Sequence, residues 1–333
     1  VTGLASFAQS AADVQTQVPA TGFSVDGDSA IATVAAGGSA RLTFPGTAGT
    51  RVYVLADSAT LPDQCGVLAL HAPDGTVLAG GCLIGGKGQI DGTVLPTTGL
   101  YTIVVDPTGG AGGTVSLRVV SSVDRAGAIT IDGPPVEVAV SQAGQTAVLT
   151  FDGRANQKVF IDVPNSTFPD QCGMPVLKGP DGTLAGGCII GSKGFIDGTV
   201  LTSSGPHTIV FDPAETGTGK ATVRLIRVTD QASTIALGGE ATATVAQPGG
   251  VARLSFSVAT ATTVKIEVLS STLPDQCGLP TLAGADGRGI ATGCVINGTG
   301  GVNSTLLQPG QFTVEINPAE RGVGQLRIRL TTQ

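Results

Sequence analysis

The chain has 333 residues, including 50 glycines and 19 prolines, and 41% of its residues are hydrophobic, 4% aromatic and 13% charged. This composition favours short strands joined by tight turns over long helices, and the hydrophobic share argues against a disordered polymer. The net charge of −7, with 18 scattered basic residues, argues against nucleic acid and anionic membranes as partners. No apolar run approaches the roughly 20 residues that span a bilayer, so we expect no direct membrane insertion.

Residues 1–20 come first and fit none of the repeats that follow. Residues 10–14 are similar to residues 121–125, where a repeat ends, so residues 1–7 are interpreted as a final strand without a sandwich of its own. Unpaired sheet edges accept added strands. The segment is therefore predicted to be a donor strand that joins subunits head to tail into an open filament; the alternative is a frayed tail.

A heptapeptide with the pattern Thr-x-Pro-Asp-Gln-Cys-Gly occurs three times, at residues 60–66, 167–173 and 272–278. Self-similarity at a fixed period marks a repeat architecture, and the period here is about 105 residues. The predicted domains are residues 21–123, 124–229 and 230–333.

Within each repeat, apolar and polar residues alternate between turn signals. Phe44, Phe151 and Phe256 each end such a segment, and residues 73–76 and 180–183 form Pro-Asp-Gly-Thr turns. The pattern has no helical periodicity. It predicts an all-β fold of three tandem antiparallel β-sandwich (jelly-roll-like) domains, joined by links too short to be flexible.

Each repeat contributes two cysteines, which are 17, 16 and 17 residues apart. Equivalent repeats require equivalent bonds, so the predicted disulfide cysteines pair within each repeat: Cys65 with Cys82, Cys172 with Cys188, and Cys277 with Cys294. Zinc is the alternative, but close cysteine pairs and a repeated histidine are missing. Disulfides imply an oxidising compartment and an extracellular protein.

The repeats do not share a catalytic side chain. His71 corresponds to Lys178 and Ala283, and His207 takes the place of an aromatic ring, so both histidines are interpreted as structural. The Gly-x-Ser-x-Gly motif of serine hydrolases does not occur in the sequence. Residues 81–87 match the glycine and lysine spacing of a phosphate-binding loop, but the next residue is a glycine and not the Ser or Thr that binds magnesium. We expect no catalytic and no cofactor-binding residues, and no enzyme.

Aspartates recur at loop ends, where carboxylates with backbone carbonyls are able to hold calcium. The calcium candidates are Asp63, Asp74, Asp91, Asp106, Asp170, Asp181, Asp197 and Asp212. The alternative is that these side chains shape turns through bonds to nearby backbone, a role that asparagine also fills. No cofactor is predicted, and structural calcium is kept as the alternative.

A resemblance to a known family rests on the run from Leu95 to Pro107, the Pro-Asp-Gly-Thr turns and the opening at residues 144–151. These motifs resemble the closing strands of bacterial pre-peptidase C-terminal-like domains. The resemblance covers about residues 21–333. It implies jelly-roll-like sandwiches that occur in tandem in secreted and surface proteins of bacteria, with an accessory, non-catalytic role.

The sequence therefore predicts a non-enzymatic structural or adhesive protein, extracellular or at the bacterial cell surface, with self-association or a surface partner. The alternative is a ligand-binding accessory module for carbohydrate, calcium or a protein. The chain has no Trp and only two tyrosines, Tyr53 and Tyr101, so a repeated aromatic platform for sugars is not expected.

Overall fold

The computed structural model of the chain describes residues 23–214 and 217–332. Strands dominate these ranges, and the single helical element among them is a 3-10 turn at Thr108–Gly110. No helix in the described ranges is long and apolar enough to cross a membrane. The predicted donor strand, within residues 1–20, lies outside the described residues.

The first sheet, which we call repeat 1, has eight strands. They are β1 (Ala30–Val34), β2 (Ala40–Gly46), β3 (Arg51–Ala59), β4 (Gln64–His71), β5 (Val77–Ile84), β6 (Lys87–Val94), β7 (Gly99–Val105) and β8 (Gly113–Ser121). Their hydrogen-bonding order is β1-β8-β3-β6-β5-β4-β7-β2. The two terminal strands of this order, β1 and β2, contact each other, so the sheet folds over into a nearly closed sandwich.

The second sheet, repeat 2, has nine strands. They are β9 (Arg125–Ala128), β10 (Val136–Val140), β11 (Ala147–Gly153), β12 (Lys158–Ser166), β13 (Gln171–Gly179), β14 (Gly182–Ile190), β15 (Lys193–Val200), β16 (Gly205–Phe211) and β17 (Gly219–Val228). The order β10-β17-β12-β15-β14-β13-β16-β11 matches repeat 1 strand for strand, and β9 is added at the edge of β11.

The third sheet, repeat 3, also has nine strands. They are β18 (Gln231–Thr234), β19 (Glu240–Val245), β20 (Ala252–Val258), β21 (Thr262–Ser271), β22 (Gln276–Gly284), β23 (Gly289–Ile296), β24 (Thr299–Leu307), β25 (Gly310–Ile316) and β26 (Gly324–Thr332). The same order recurs, and β18 pairs in parallel with β20.

The cores follow from period-2 alternation, because successive side chains of a strand point to opposite faces. In β2, for example, Ala40, Leu42 and Phe44 are buried while Arg41 is exposed. Phe44 stacks on Tyr101 of β7 with ring centroids 5.7 Å apart. Stacked or tilted ring pairs occupy the same place in repeats 2 and 3.

The prediction of three tandem antiparallel sandwiches, each with one disulfide, is confirmed. The chain groups into two compact units. The first holds repeat 1 with residues 140–146 and residues 213, 214, 217 and 218, and the second holds the rest of repeat 2 together with repeat 3. The exact repeat boundaries at 123/124 and 229/230 stay predictions.

Candidate functional site

The repeated heptapeptide forms one bonded cluster in each repeat, and its aspartate is tied to the tip of a hairpin. Asp63 accepts a hydrogen bond from the backbone nitrogen of Gly85 at 2.8 Å, in the turn between β5 and β6. Asp170 accepts from Gly191 at 3.0 Å in repeat 2. In repeat 3, Asp275 accepts from Asn297 at 3.0 Å. The aspartate therefore orders the hairpin tip in all three repeats.

The glutamine of the heptapeptide binds the loop that precedes the last strand. Gln64 Oε1 accepts from the backbone nitrogen of Thr108 at 3.2 Å, and Gln276 Oε1 accepts from Ala319 at 2.9 Å. Gln171 reaches the equivalent loop through Nε2, which donates to the Asp212 carbonyl at 3.2 Å. One heptapeptide thus connects two separate loops of its sandwich.

The cysteine of the heptapeptide forms a cross-strand disulfide with the same hairpin. Cys65 lies directly opposite Cys82, and the pairs in repeats 2 and 3 occupy the same register, with Cα atoms 3.9 Å apart in each. The following glycine, Gly66 in repeat 1, has a φ of 79°, a left-handed conformation that favours glycine. Each residue from aspartate to glycine therefore has an internal structural task.

The calcium candidates are not brought together. Among the described residues, no group of three or more His, Cys, Asp or Glu side chains could hold a metal ion. Asp74 accepts from the backbone nitrogen of Thr76, and these hydrogen bonds hold the pKa of Asp74 below its ordinary value. Asp91 accepts from Gln89 at 2.7 Å, and Asp197 from the Gly198 nitrogen at 2.7 Å.

The remaining candidates lie in separate loops. Asp181 is exposed in the turn before β14, and Asp106 and Asp212 follow β7 and β16. The Asp106 nitrogen donates to the Val67 carbonyl at 2.9 Å. The contacts of the aspartates suit the turn-shaping alternative, and calcium binding stays a prediction.

Both histidines make contacts with residues of their own repeat. His207 is fully buried and stacks on Phe151 with centroids 5.3 Å apart, while its Nδ1 lies 2.9 Å from the Gly205 carbonyl. His71 Nδ1 lies 3.1 Å from the Gly75 carbonyl in an exposed turn. Residues 81–87, which partly match a phosphate-binding loop, lie on the β5–β6 hairpin, and this hairpin carries the disulfide.

A second region joins repeats 2 and 3 within the second unit. We call the outward side of β12, β15 and β17 the receiving face of repeat 2; its central residues are Phe160, Asp162, Phe195 and Ile226. Phe160 is fully buried and stacks on Phe195 at 5.7 Å.

The receiving face contacts the backbone of repeat 3 directly at Gly249. A Cβ atom on Gly249 would lie 2.7 Å from the nitrogen of Gly198 and 2.7 Å from the Phe160 ring. Gly249 also has a φ of 73°. Glycine is therefore required there both by the close approach of two backbones and by the left-handed conformation.

Arg321, from the loop before β26, inserts beside this contact. Its Nε donates to Asp162 at 2.6 Å, and its Nη2 donates to the carbonyls of Val163 and Gly194. The guanidinium lies 5.3 Å from the centroid of the Phe195 ring. A planar cation that stacks and donates several hydrogen bonds at once is specific to arginine.

An ion-pair network borders the same contact. Asp230 pairs with Lys158 at 2.8 Å and with Arg253 at 3.2 Å, and it accepts from the Val251 nitrogen at 3.0 Å. Partial burial raises the pKa of Asp230, but the Lys158, Val251 and Arg253 contacts together outweigh it and hold that pKa below its ordinary value. The carboxylate is therefore charged throughout the physiological range.

The first unit repeats part of this arrangement. Arg51 pairs with Asp124 at 3.1 Å, and Asp124 accepts from the Thr146 nitrogen at 3.3 Å. Tyr53 lies against Gly144, where a Cβ atom would be 1.8 Å from the ring. Leu55 and Val120 of repeat 1 form a small buried cluster with Ala143.

Repeat 3 has different residues at the positions of the receiving face. Lys265, Glu267, Gly301 and Thr331 replace Phe160, Asp162, Phe195 and Ile226. Lys265 pairs with Glu267 at 2.8 Å and both side chains are partly exposed. The hydrogen bond and the charge of Lys265 hold the pKa of Glu267 below its ordinary value.

Sequence reasoning did not find Arg321 or the receiving face of repeat 2. The available signal was one difference between repeats, Arg321 in a loop where the repeat 1 counterpart is Gly110. The recurring Asp124 and Asp230 in the links were a second signal, since each one binds a basic residue and a backbone nitrogen.

No protein-family model matches the chain, and no curated protein matches its sequence. Among solved structures, the pre-peptidase C-terminal domain of a Bacillus anthracis collagenase is similar at 18% identity and a TM-score of 0.25, covering 31% of this chain and 96% of that domain. The periplasmic g-type lysozyme inhibitor PliG of Aeromonas hydrophila is similar at 13% identity and a TM-score of 0.22, covering 31% and 99%. The CUB1-EGF-CUB2 domain of human MASP-1/3 is similar at 10% identity and a TM-score of 0.20, covering 59% and 99%. The family resemblance of the motifs stays a prediction.

Proposed function

We propose that the protein is a non-enzymatic, extracellular structural or adhesive array of disulfide-stapled sandwiches at the bacterial cell surface. In this proposal it is the subunit of a surface filament, and the N-terminal segment is the donor strand. The observation that carries the proposal is the internal use of the repeated heptapeptide. Its Asp, Gln and Cys side chains bind the hairpin and loop of their own sandwich in every repeat.

Reinforcement at the same place in each repeat suits a protein that resists extension and proteolysis. In the chain-entropy model, a disulfide that closes a loop of this length contributes about 3 kcal/mol. Disulfides also support the assignment to an oxidising, extracellular compartment. The contacts of His207, a ring stack on Phe151 and an Nδ1 atom 2.9 Å from the Gly205 carbonyl, suit a structural side chain in a non-enzymatic protein.

Strand donation has support from the edges of the sheets. In repeat 3, β18 is the first strand of the repeat and adds in parallel to β20 at the edge of the sheet. In repeat 2, β9 is likewise the first strand and is hydrogen-bonded to β11 at the corresponding edge. Both added strands have four residues, so the fold accepts a short strand at this edge. A segment before repeat 1 would have the equivalent edge, β2, as its acceptor.

Deletion of residues 1–13 tests the filament. We expect the full chain to form fibres in negative-stain electron microscopy and the deleted chain to remain a single particle, since it lacks the donor strand. Circular dichroism and non-reducing mass analysis establish that the deleted chain keeps its sheets and its disulfides. Fibres that persist after the deletion would remove strand donation from the proposal. If the full chain stays monomeric, the filament proposal is rejected and the array is interpreted as a stalk.

A further inference from the structure

A cleft opens on repeat 1 beside residues 140–146 in the first unit. Its volume is about 860 Å³, and its lining includes Leu55, Asp57, Gln89, Arg118 and Gln142. Ligand-binding clefts in proteins have volumes of roughly 300–1,000 Å³. The cleft is therefore large enough for two or three sugar rings.

The charged groups of the cleft cancel. Arg118 Nη2 donates to Asp57 Oδ1 at 3.0 Å, and Gln89 Nε2 donates to Asp91 Oδ1 at 2.7 Å. Lys87 also lines the cleft, so two cationic side chains stand beside two carboxylates. A site with balanced charge gives no large advantage to an anion or a cation, and it favours an uncharged polar ligand.

The hydrogen-bonding groups that remain include both donors and acceptors. Arg118 carries five N–H donors in a planar fork, and Asp57 keeps Oδ2 as an acceptor beyond the Oδ1 contact. The side-chain amide of Gln142 has no hydrogen bond to the described residues. Hydroxyl groups both donate and accept, so a polyhydroxylated ligand matches this mixture.

Apolar side chains border the polar groups. Ile84 lines the cleft with 66% of its surface exposed, and Leu55 lies in the floor. Pyranose rings present C–H faces as well as hydroxyls, and burial of such a face against Ile84 would remove apolar surface from water.

The equivalent positions in the other repeats lack this combination. In repeat 2, Pro164 and Phe195 replace Asp57 and Gln89, and the Arg321 side chain covers Phe195. In repeat 3, Leu269 and Gly301 take these places. Of the three equivalent positions among the described residues, the one in the first unit therefore combines these polar and charged groups, and the other two do not.

We propose that the cleft in the first unit binds a neutral oligosaccharide. Asp57, Gln89, Arg118 and Gln142 bind its hydroxyls, and Ile84 packs against a ring face. Because the described residues that line the cleft include no aromatic ring to serve as a platform, the affinity expected for a single cleft is about millimolar. A filament that displays many copies would bind a glycan surface more strongly through multivalency.

Titration of the full ¹⁵N-labelled chain with neutral trisaccharides tests the proposal. The probes are maltotriose, cellotriose, N,N′,N″-triacetylchitotriose and mannotriose, each up to about 10 mM, with trigalacturonate as the charged comparison. We expect at least one neutral trisaccharide to shift the side-chain amide signals of Gln89 and Gln142. Gln89→Phe, which introduces the repeat 2 residue, and Asp57→Asn should each weaken binding about tenfold or more, since they fill the cleft or remove an acceptor.

Asn303→Ala is the matched control, because Asn303 is the repeat 3 counterpart of Asp91, and it should leave the affinity unchanged. Melting curves confirm that each variant is folded. The proposal is overturned if no neutral trisaccharide shifts the cleft signals, if only trigalacturonate does, or if Gln89→Phe and Asp57→Asn bind as well as the control.

Discussion

The receiving face of repeat 2 and the same surface of repeat 3 have one topology and opposite chemistry. In repeat 2 the surface holds Phe160, Asp162 and Phe195, and repeat 3 covers it through Gly249 and Arg321. In repeat 3 the corresponding side chains are Lys265 and Glu267, paired with each other and partly exposed.

The two surfaces have the same strand order, so the strand pattern does not determine which side chains they carry. Their side chains differ according to whether a neighbouring repeat covers the surface. A covered face gains from aromatic burial and from a partly buried arginine contact. A surface that faces solvent is more soluble when its side chains form ion pairs, because ion pairs expose little apolar area. Repeat arrays require such polar ends for solubility. The surface with Lys265 and Glu267 therefore has the chemistry of a solvent-facing surface, and the surface with Phe160 and Phe195 that of a covered one.

The largest effect is expected for Phe160→Ala. The substitution leaves a cavity in a fully buried contact and should lower the free energy of unfolding by about 3–5 kcal/mol. The counterpart Lys265→Ala should cost less than about 1 kcal/mol, because it removes only an exposed pair. Urea denaturation of both variants measures the difference, and similar losses would break the comparison.

Gly249→Ala should have the next largest effect. The new Cβ meets the Gly198 backbone and the residue must keep a left-handed φ, so we expect a loss of about 2–3 kcal/mol. Gly37→Ala in repeat 1 is the matched control: its φ is 75° and a Cβ there has nothing within 4 Å. It should cost only the conformational part, about 1 kcal/mol. Thermal melts that rank the two variants equally would mean that the glycine contact is not tight.

A double-mutant cycle on Asp162 and Arg321 should give a coupling energy of about 1–2 kcal/mol. Asp162 is nearly buried and Arg321 is held by three acceptors, so the pair is little screened. The same cycle on Glu267 and Lys265 should give about 0.5 kcal/mol or less. High salt should reduce the second coupling more than the first, which urea melts at two ionic strengths measure.

The smallest expected effect is the pH dependence of Asp230. Its pKa is lower in the folded chain than in the unfolded chain, so its stabilisation is complete above the unfolded pKa and disappears as the pH falls through the folded pKa. Asp230→Asn should therefore cost about 1 kcal/mol at pH 7 and little at about pH 2. Denaturation midpoints across this range check the trend, and a loss that does not change with pH would contradict the assignment.

The fold was largely predictable because local signals repeat. The heptapeptide gave the length of the repeat, and the cysteines indicated one disulfide in each repeat. The alternation of apolar and polar residues around Phe44, Phe151 and Phe256 indicated strands. The receiving face of repeat 2 was not predictable from the sequence. Phe160 and Phe195 occupy outward positions in an ordinary strand alternation, and the residues that cover them depend on how repeat 3 packs against repeat 2. Arg321 is a single residue in one loop, and no periodicity marks it.

Asp63 and Asp170 of the heptapeptide are calcium candidates in the sequence because a sequence pattern shows the type of each side chain but not where that side chain points. Asp63 satisfies its oxygen with a backbone nitrogen of a hairpin 22 residues away, and no spacing rule points to that contact. The cleft in repeat 1 was equally hidden, since Asp57, Gln89 and Arg118 come from three strands that meet only in the folded sheet.

The central claim is that the covered receiving face couples repeat 2 to repeat 3. Native-state hydrogen exchange on the full chain with Phe160→Ala tests it most directly, because exchange reports the stability of each repeat separately. The account predicts that protection falls by similar amounts in the cores of repeats 2 and 3. Loss of protection confined to repeat 2, with repeat 3 unchanged, would contradict it.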